Sequence, residues 1–157
     1  MPPYLPGLPN LRRFSSVAPS LGVELTALNA QDAGEIERAV TEFARAPNSG
    51  LIVTGGAPIV SHRELIAALA ARHRLPAVYF RRTMVDSGGL ISYGSDLLNQ
   101  YRHAARIRRP HPQGREADYL PVQAPTKYEL TINLKTAKAV GLEVPPTLLA
   151  LADGVIE

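Results

Sequence analysis

Residues 50–80 read GLIVTGGAPIVSHRELIAALAARHRLPAVYF, and this stretch decides the fold. Residues 50–54 (GLIVT) are a short apolar run bounded by glycines, the pattern of a strand buried on both faces of a parallel sheet. Gly55-Gly56 then turns the chain. Ser61 is placed to cap a helix, with Glu64 three residues on. Leu65, Ile66, Leu69 and Ala70 recur on its apolar face. Residues 76–80 (PAVYF) form a second run of the buried type. Strand, helix and strand with short connections make a βαβ unit, whose crossover is right-handed in nearly every case.

Working outward, Asp32 is an N-cap with Glu35 as the return half of a capping box, and Ile36, Val40 and Phe43 form the buried stripe of the helix that follows. Ala46-Pro47-Asn48 ends it. Residues 23–28 (VELTAL) read as a short strand. Residues 1–9 hold four prolines and read as an extended lead-in. On the other side, residues 88–93 (GGLISY) are a third strand. Asp96 opens an amphipathic helix through Leu97, Leu98 and Tyr101, which meets Arg108-Arg109-Pro110-His111-Pro112, a run no helix core tolerates. Residues 128–134 (YELTINL) alternate like a strand. Residues 136–140 form a short helix stopped by Gly141. Pro145-Pro146 opens a last helix through Leu148, Leu149 and Ala152. The expected fold class is α/β, a three-layer, mostly parallel sheet flanked by helices.

The bulk properties narrow the function. A chain of 157 residues is about one domain. With no cysteine, disulfides, thiolate catalysis and Cys-ligated metal are excluded. No run is apolar for long enough to span a bilayer, so no direct membrane insertion is expected. The opening MPPYLPGLPNLRRF has no leading basic residue and its apolar residues are interrupted by prolines. It does not read as a signal peptide, and the chain as written is expected to stay in the cytoplasm. The net charge of +3 is local. Without Arg102, Arg106, Arg108, Arg109 and Arg115, the 17 basic residues fall to 12 against 14 acidic, a net of −2. A distributed nucleic-acid footprint is therefore not expected. The arginine run has prolines and no interleaved aromatics, and reads as a solvated loop.

Chemical motifs are few. Gly55-Gly56 lies after a strand and before a helix, where open α/β sheets bind ligands. It lacks the GK[ST] of a phosphate loop and the GxGxxG of a dinucleotide site, and a plain βα turn accounts for it equally well. His62 and His73 are three helical turns apart, too far to share a metal. No GxSxG elbow is present. Glu35 and Glu37 sit near a helix start, where acids favour the dipole. No catalytic, metal or cofactor site is expected, and the chain does not read as an enzyme. The alternative is a stand-alone Rossmann-like nucleotide-binding enzyme domain using the Gly55-Gly56 loop.

The tail is the most specific part. Residues 120–142 read LPVQAPTKYELTINLKTAKAVGL, followed by EVPPTLLALADGVIE. This resembles the C-terminal signature of ABC transporter substrate-binding proteins of the type I periplasmic-binding fold, a family that includes binders implicated in aromatic amino acid uptake. GLIVTGG, SHRELIAALAARHRLPAVYF, GGLISYGSDLLNQYRHAA, APSLGVEL and DAGEIERAV agree in order and spacing. The resemblance covers residues 18–105 and 120–157. It implies a fold of two lobes that clamp a small-molecule solute, delivered by full-length relatives to an ABC permease from the periplasm. It divides this chain into a lead-in (1–17), a C-terminal ligand-binding lobe (18–86 and 123–157) and a crossover segment (87–122) that would pack on an N-terminal lobe. It implies cleft residues Thr54, Gly55, Gly56, Ala57, Arg81, Tyr93 and Asp96, with Arg81 and Arg82 candidates to meet a carboxylate. By this reading the chain is a truncated solute-binding component, not competent alone.

One interval departs from the family pattern. Where members carry a segment like YVDRILKGAKPAD, this chain has IRRPHPQGREADY at residues 107–119. The string CGTCGACCGCATCCTCAAGGGCGCGAAGCC encodes RRPHPQGREA in one frame and VDRILKGAK in the next. A pair of compensating frameshifts would therefore produce the basic, proline-broken run. The helix from Asp96 is then expected to stop near residues 106–109 and the rest to be an exposed loop.

Overall fold

The computed structural model describes residues 14–28, 30–107 and 125–157. It divides into two compact units, residues 1–30 and 31–157. In the first, residues 14–17 are helical rather than extended, so the predicted lead-in is corrected at its end; residues 1–13 lie outside the described residues. A 3-10 helix, Ala18–Leu21, follows and is closed by Gly22 in the left-handed region (φ 66°). Residues 23–28, expected as a strand, are not one. Alternation supplies a face, but a strand also needs a ladder partner, and this segment pairs with none among the described residues.

The second unit is built on five strands: β1 (Leu51–Val53), β2 (Ala77–Tyr79), β3 (Ile91–Ser95), β4 (Tyr128–Asn133) and β5 (Gly154–Ile156). Their spatial order is β1-β2-β3-β4-β5. All neighbours are parallel except β3 and β4. The α/β class and the mostly parallel sheet flanked by helices are therefore as expected. The helices are α1 (Ala33–Phe43), α2 (Ala57–Ser61), α3 (Arg63–Arg72), α4 (Arg82–Asp86), α5 (Leu97–Ile107), α6 (Leu134–Val140) and α7 (Pro146–Leu149).

Local signals explain most boundaries. Asp32 caps α1, its Oδ1 accepting from the Glu35 amide at 2.8 Å. The return bond of Glu35 goes to the Gln31 amide at 2.9 Å, one residue earlier than a standard capping box. Ser61 is not a cap: Pro58 starts a helix at Ala57, so Ser61 ends α2 and His62 joins it to α3 without a side-chain cap. Gly141 ends α6 with φ 79°, as its position predicts. Two elements were not anticipated. The five-residue α4 fills the βα connection after β2. Gly154–Ile156 adds β5, and Asp153 prepares that pairing by accepting the Leu130 amide on Oδ2 (2.8 Å) and donating its own amide to the Leu130 carbonyl (2.8 Å). The final helix is correspondingly shorter than predicted and stops at Leu149. α5 runs to Ile107, and the expected loop beyond it lies outside the described residues.

The core is organised by register. Val53, Tyr79, Ser92 and Thr131 stand in one row across four strands, and all four are buried. α4 packs against β2, β3 and β4 and contributes Met84 and Val85, which are fully covered. The neighbouring row points to the other face, because strand side chains alternate. There Ile132 is fully buried, whereas Ile52, Val78 and Val155 remain 41–52% exposed. Near the bottom of the sheet, Leu90, Ala137 and Val140 form a cluster that Ile91 and Val144 join.

Tyr79 carries a cost in this core. Among the described residues its buried hydroxyl has no hydrogen-bond partner, and burial pushes its pKa up to about 12. Tyr79→Phe should therefore leave thermal stability within about 1 kcal/mol of the parent or raise it, because the orphaned hydroxyl is removed with the ring kept. The raised pKa means that the folded state holds the proton more tightly than the unfolded chain. Its contribution is complete below the unfolded value of 10.0 and is lost as the pH rises towards 12. Alkaline melting curves should show this loss in the parent, and Tyr79→Phe should lack that component.

Candidate functional site

The carboxyl ends of β1, β2 and β3 share one edge of the sheet because these strands are parallel. The antiparallel β4 brings its amino end to the same edge, with Ser95 opposite Tyr128. Ligands of open α/β sheets bind at such an edge. β1 delivers Thr54, Gly55 and Gly56, with Ala57 as the first residue of α2. Thr54 is half-buried, and the other three are exposed. β2 delivers Phe80 and Arg81. β3 delivers Tyr93 and, just past its end, Asp96.

Glycines set how closely these ends approach. A β-carbon on Gly94 would overlap the Phe80 carbonyl, so β3 lies against β2 here only because residue 94 has no side chain. A β-carbon on Gly55 would meet the Phe80 ring at 3.4 Å, ordinary contact. Gly55 therefore leaves the ring's neighbourhood open, but substitution there is tolerable.

The charges at this edge are mostly paired internally. Arg82 Nη1 donates to Glu129 Oε1 at 2.7 Å, and its Nε lies 3.8 Å from Asp86 Oδ1. The hydrogen bond to Glu129 and the adjacent acids raise the Arg82 pKa. Lys127 Nζ donates to Asp96 Oδ2 at 3.2 Å, and the Asp96 amide donates to the Lys127 carbonyl at 3.1 Å. Asp96 also caps α5: its Oδ1 accepts from the Asn99 amide at 3.0 Å. That amide, with Lys127, holds the Asp96 carboxyl below its usual range. Arg81 differs. Its guanidinium carbon sits 5.2 Å from the centroid of the Phe80 ring, and among the described residues it has no carboxylate partner.

Seven residues were expected to line a cleft. The fold brings Thr54, Gly55, Gly56, Ala57, Arg81, Tyr93 and Asp96 to one sheet edge. Asp96 is committed there as a cap and ion-pair partner. Arg82, expected to meet a carboxylate, meets the chain's own Glu129. Sequence reasoning missed Tyr128, Lys127 and Glu129, which reach this edge only because β4 runs antiparallel beside β3. The alternation of YELTINL was a signal for a strand, but not for its neighbour. Among the described residues, two surface hollows run along α6 and α1 and include none of the residues of this edge. Of the histidines, His73 Nε2 lies 3.4 Å from Thr41 Oγ1. Among the described residues, no group of three or more potential ligands is arranged to hold a metal ion. No helix there is long and apolar enough to cross a membrane.

The sequence matches the family described as ABC transporter substrate binding protein over residues 7–156. The chain belongs to that family. No curated protein sequence matches it significantly. Among solved structures, a conserved domain protein from Vibrio cholerae superposes with a TM-score of 0.82 at 22% identity, covering 97% of this chain and 52% of its own. An ABC domain from Streptococcus pneumonia in complex with L-Trp gives 0.79 at 21% identity, covering 94% and 51%. A ligand-free, open substrate binding protein with adhesive properties from Clostridium difficile gives 0.65 at 15% identity, covering 93% and 48%. The chain thus spans about half the length of the solved structures it matches, which share its periplasmic-binding fold.

Two substitutions test this edge. Gly94→Ala should destabilise by about 1–3 kcal/mol through overpacking against backbone that cannot yield, read as a lower urea midpoint. Asp96→Asn should change the acid response. Because the folded pKa is depressed, the carboxylate's contribution is complete above the ordinary carboxylate pKa and is lost as the pH falls through the lowered value. On acidification the parent should therefore lose stability that Asp96→Asn does not have to lose.

Proposed function

We propose that this chain is the C-terminal ligand-binding lobe of an ABC-importer solute receptor, with its crossover segment. Its solute is a small organic molecule for which an amino acid is the first candidate. Residues 18–86 and 123–157 form the lobe, and residues 87–122 cross to a second lobe. The observation that carries this reading is the convergence of the Gly55-Gly56 loop, Arg81 and Tyr93 on one sheet edge. It is supported by family membership and by the L-Trp bound to the Streptococcus relative. The bare apolar side chains of Leu98 and Tyr101 on α5, 68% and 71% exposed, support a crossover segment that packs on further protein.

In this reading Arg81 meets the solute carboxylate, and the exposed backbone of Gly55 and Gly56 approaches the solute closely. The protein binds and releases without chemistry, delivers its solute to a permease and works in the periplasm, where the family acts. The nucleotide alternative loses its footing at α2. That helix has five residues, and Pro58 in its first turn has no amide to offer a phosphate.

A wall on one lobe buries only part of a ligand, and closure against a second wall supplies the rest. Calorimetry on the 157-residue chain alone should therefore show no micromolar affinity for any amino acid. A two-lobed protein carrying this chain as its second half should show a thermal shift with an amino acid, lost in Arg81→Ala. Shifts with nucleotides and none with amino acids would sink the proposal.

A further inference from the structure

Phe80 has no part in the reading above, yet three neighbours meet on it. It follows β2 directly and is half-buried. Its carbonyl lies where a β-carbon on Gly94 of β3 would overlap it. Its ring lies beside Gly55 after β1: a β-carbon on Gly55 would sit 3.4 Å from Cε2, 3.5 Å from Cδ2 and 3.7 Å from Cζ. Over that ring lies the Arg81 guanidinium, its carbon 5.2 Å from the centroid. The backbones of two neighbouring strand ends thus hold the ring, and the ring holds the cation.

A cation over a ring is a modest stabilising contact in its own right. The surroundings ask more of this one. Arg81 is half-buried and meets no carboxylate among the described residues, whereas the more exposed Arg82 meets both Glu129 and Asp86. Partial burial of an unanswered charge costs free energy that an anionic ligand returns. The Arg81 backbone is extended (φ −154°, ψ 142°) and α4 begins at the next residue, so the side chain leaves from a fixed joint. A long side chain laid on a ring has already lost rotamer freedom that binding would otherwise have to remove. A guanidinium attracted through its face keeps its in-plane N–H donors for a planar, bidentate acceptor.

We propose that Phe80 is a positioning residue, which holds the Arg81 guanidinium over its ring with the N–H edge open to a carboxylate of the solute. This rests on the functional reading above and deepens it, since Arg81 is there the group that meets the carboxylate. The ring face does the holding, so another aromatic side chain at residue 80 serves and an aliphatic one does not.

The 157-residue chain supports the first test. By NMR, the Arg81 side-chain resonances, assigned by their loss in Arg81→Lys, should lie upfield through the ring current of Phe80. Phe80→Tyr should keep that shift. Phe80→Leu, checked for folding by circular dichroism and melting, should lose it. Acetate added at constant ionic strength should move the Arg81 Nε–H resonance saturably, and chloride should not. Phe80→Leu should weaken this acetate binding about threefold to tenfold, the worth of one cation–π contact, and Phe80→Tyr should restore it. Unshifted Arg81 resonances overturn the positioning role, as do acetate affinities equal in parent and Phe80→Leu or a response to chloride that matches acetate. In the two-lobed protein, Phe80→Leu should weaken amino acid binding by a similar factor and have no further effect once residue 81 is alanine. The two readings fail separately. If an amino acid is lost in Arg81→Ala but bound equally by parent and Phe80→Leu, the receptor stands and the positioning role falls. If acetate binding depends on both Phe80 and Arg81 while the two-lobed protein binds no amino acid, the positioning role stands and the receptor reading falls.

Discussion

The antiparallel ladder between β3 and β4 is the constraint on which the rest of the second unit depends. It is the one place where the sheet reverses direction, and it pairs five residues on each side. Without it, β4 and β5 would have no sheet to join, and the amino end of β4 would not lie beside the carboxyl end of β3. Gly94 sits within this ladder and also against the Phe80 carbonyl, so the same few residues fix both the reversal and the approach of β2. The buried row Val53, Tyr79, Ser92 and Thr131 then supplies the floor, and α4 covers it with Met84 and Val85.

The chemistry of the sheet edge follows from that geometry. Arg82 and Lys127 are neutralised by Glu129, Asp86 and Asp96, which belong to the chain itself. They tie strand ends together. Arg81, one residue away from Arg82, lies over an aromatic ring with its charge unanswered by a carboxylate among the described residues. Adjacent arginines thus do different work, because α4 begins between them and turns Arg82 towards β4.

Much of the fold was legible because its signals are local. The apolar runs at 51–53 and 77–79, the Asp32 cap, the stripe of Ile36 and Val40, and the stop at Gly141 all depend on residues within one turn or one strand. Errors came where local and non-local requirements part. Residues 23–28 have a strand's composition but no ladder partner among the described residues. Ser61 has a cap's chemistry, but Pro58 starts the helix before it. Gly154–Ile156 is too short to announce itself, and becomes a strand only because Asp153 and the end of β4 receive it.

The sequence by itself determined the alternation of strands and helices, the family signature in residues 120–157, and the glycine loop and Arg81 at strand ends. These follow from periodicity, turn chemistry and residue type, which are properties of neighbouring residues. Only the tertiary structure decided which strands are neighbours and in which direction they run. That choice brought Lys127, Tyr128 and Glu129 to the edge formed by residues 80–96. The reason is physical: hydrogen-bond pairing between strands joins residues more than thirty positions apart, and no local pattern records which partner will satisfy a strand's backbone.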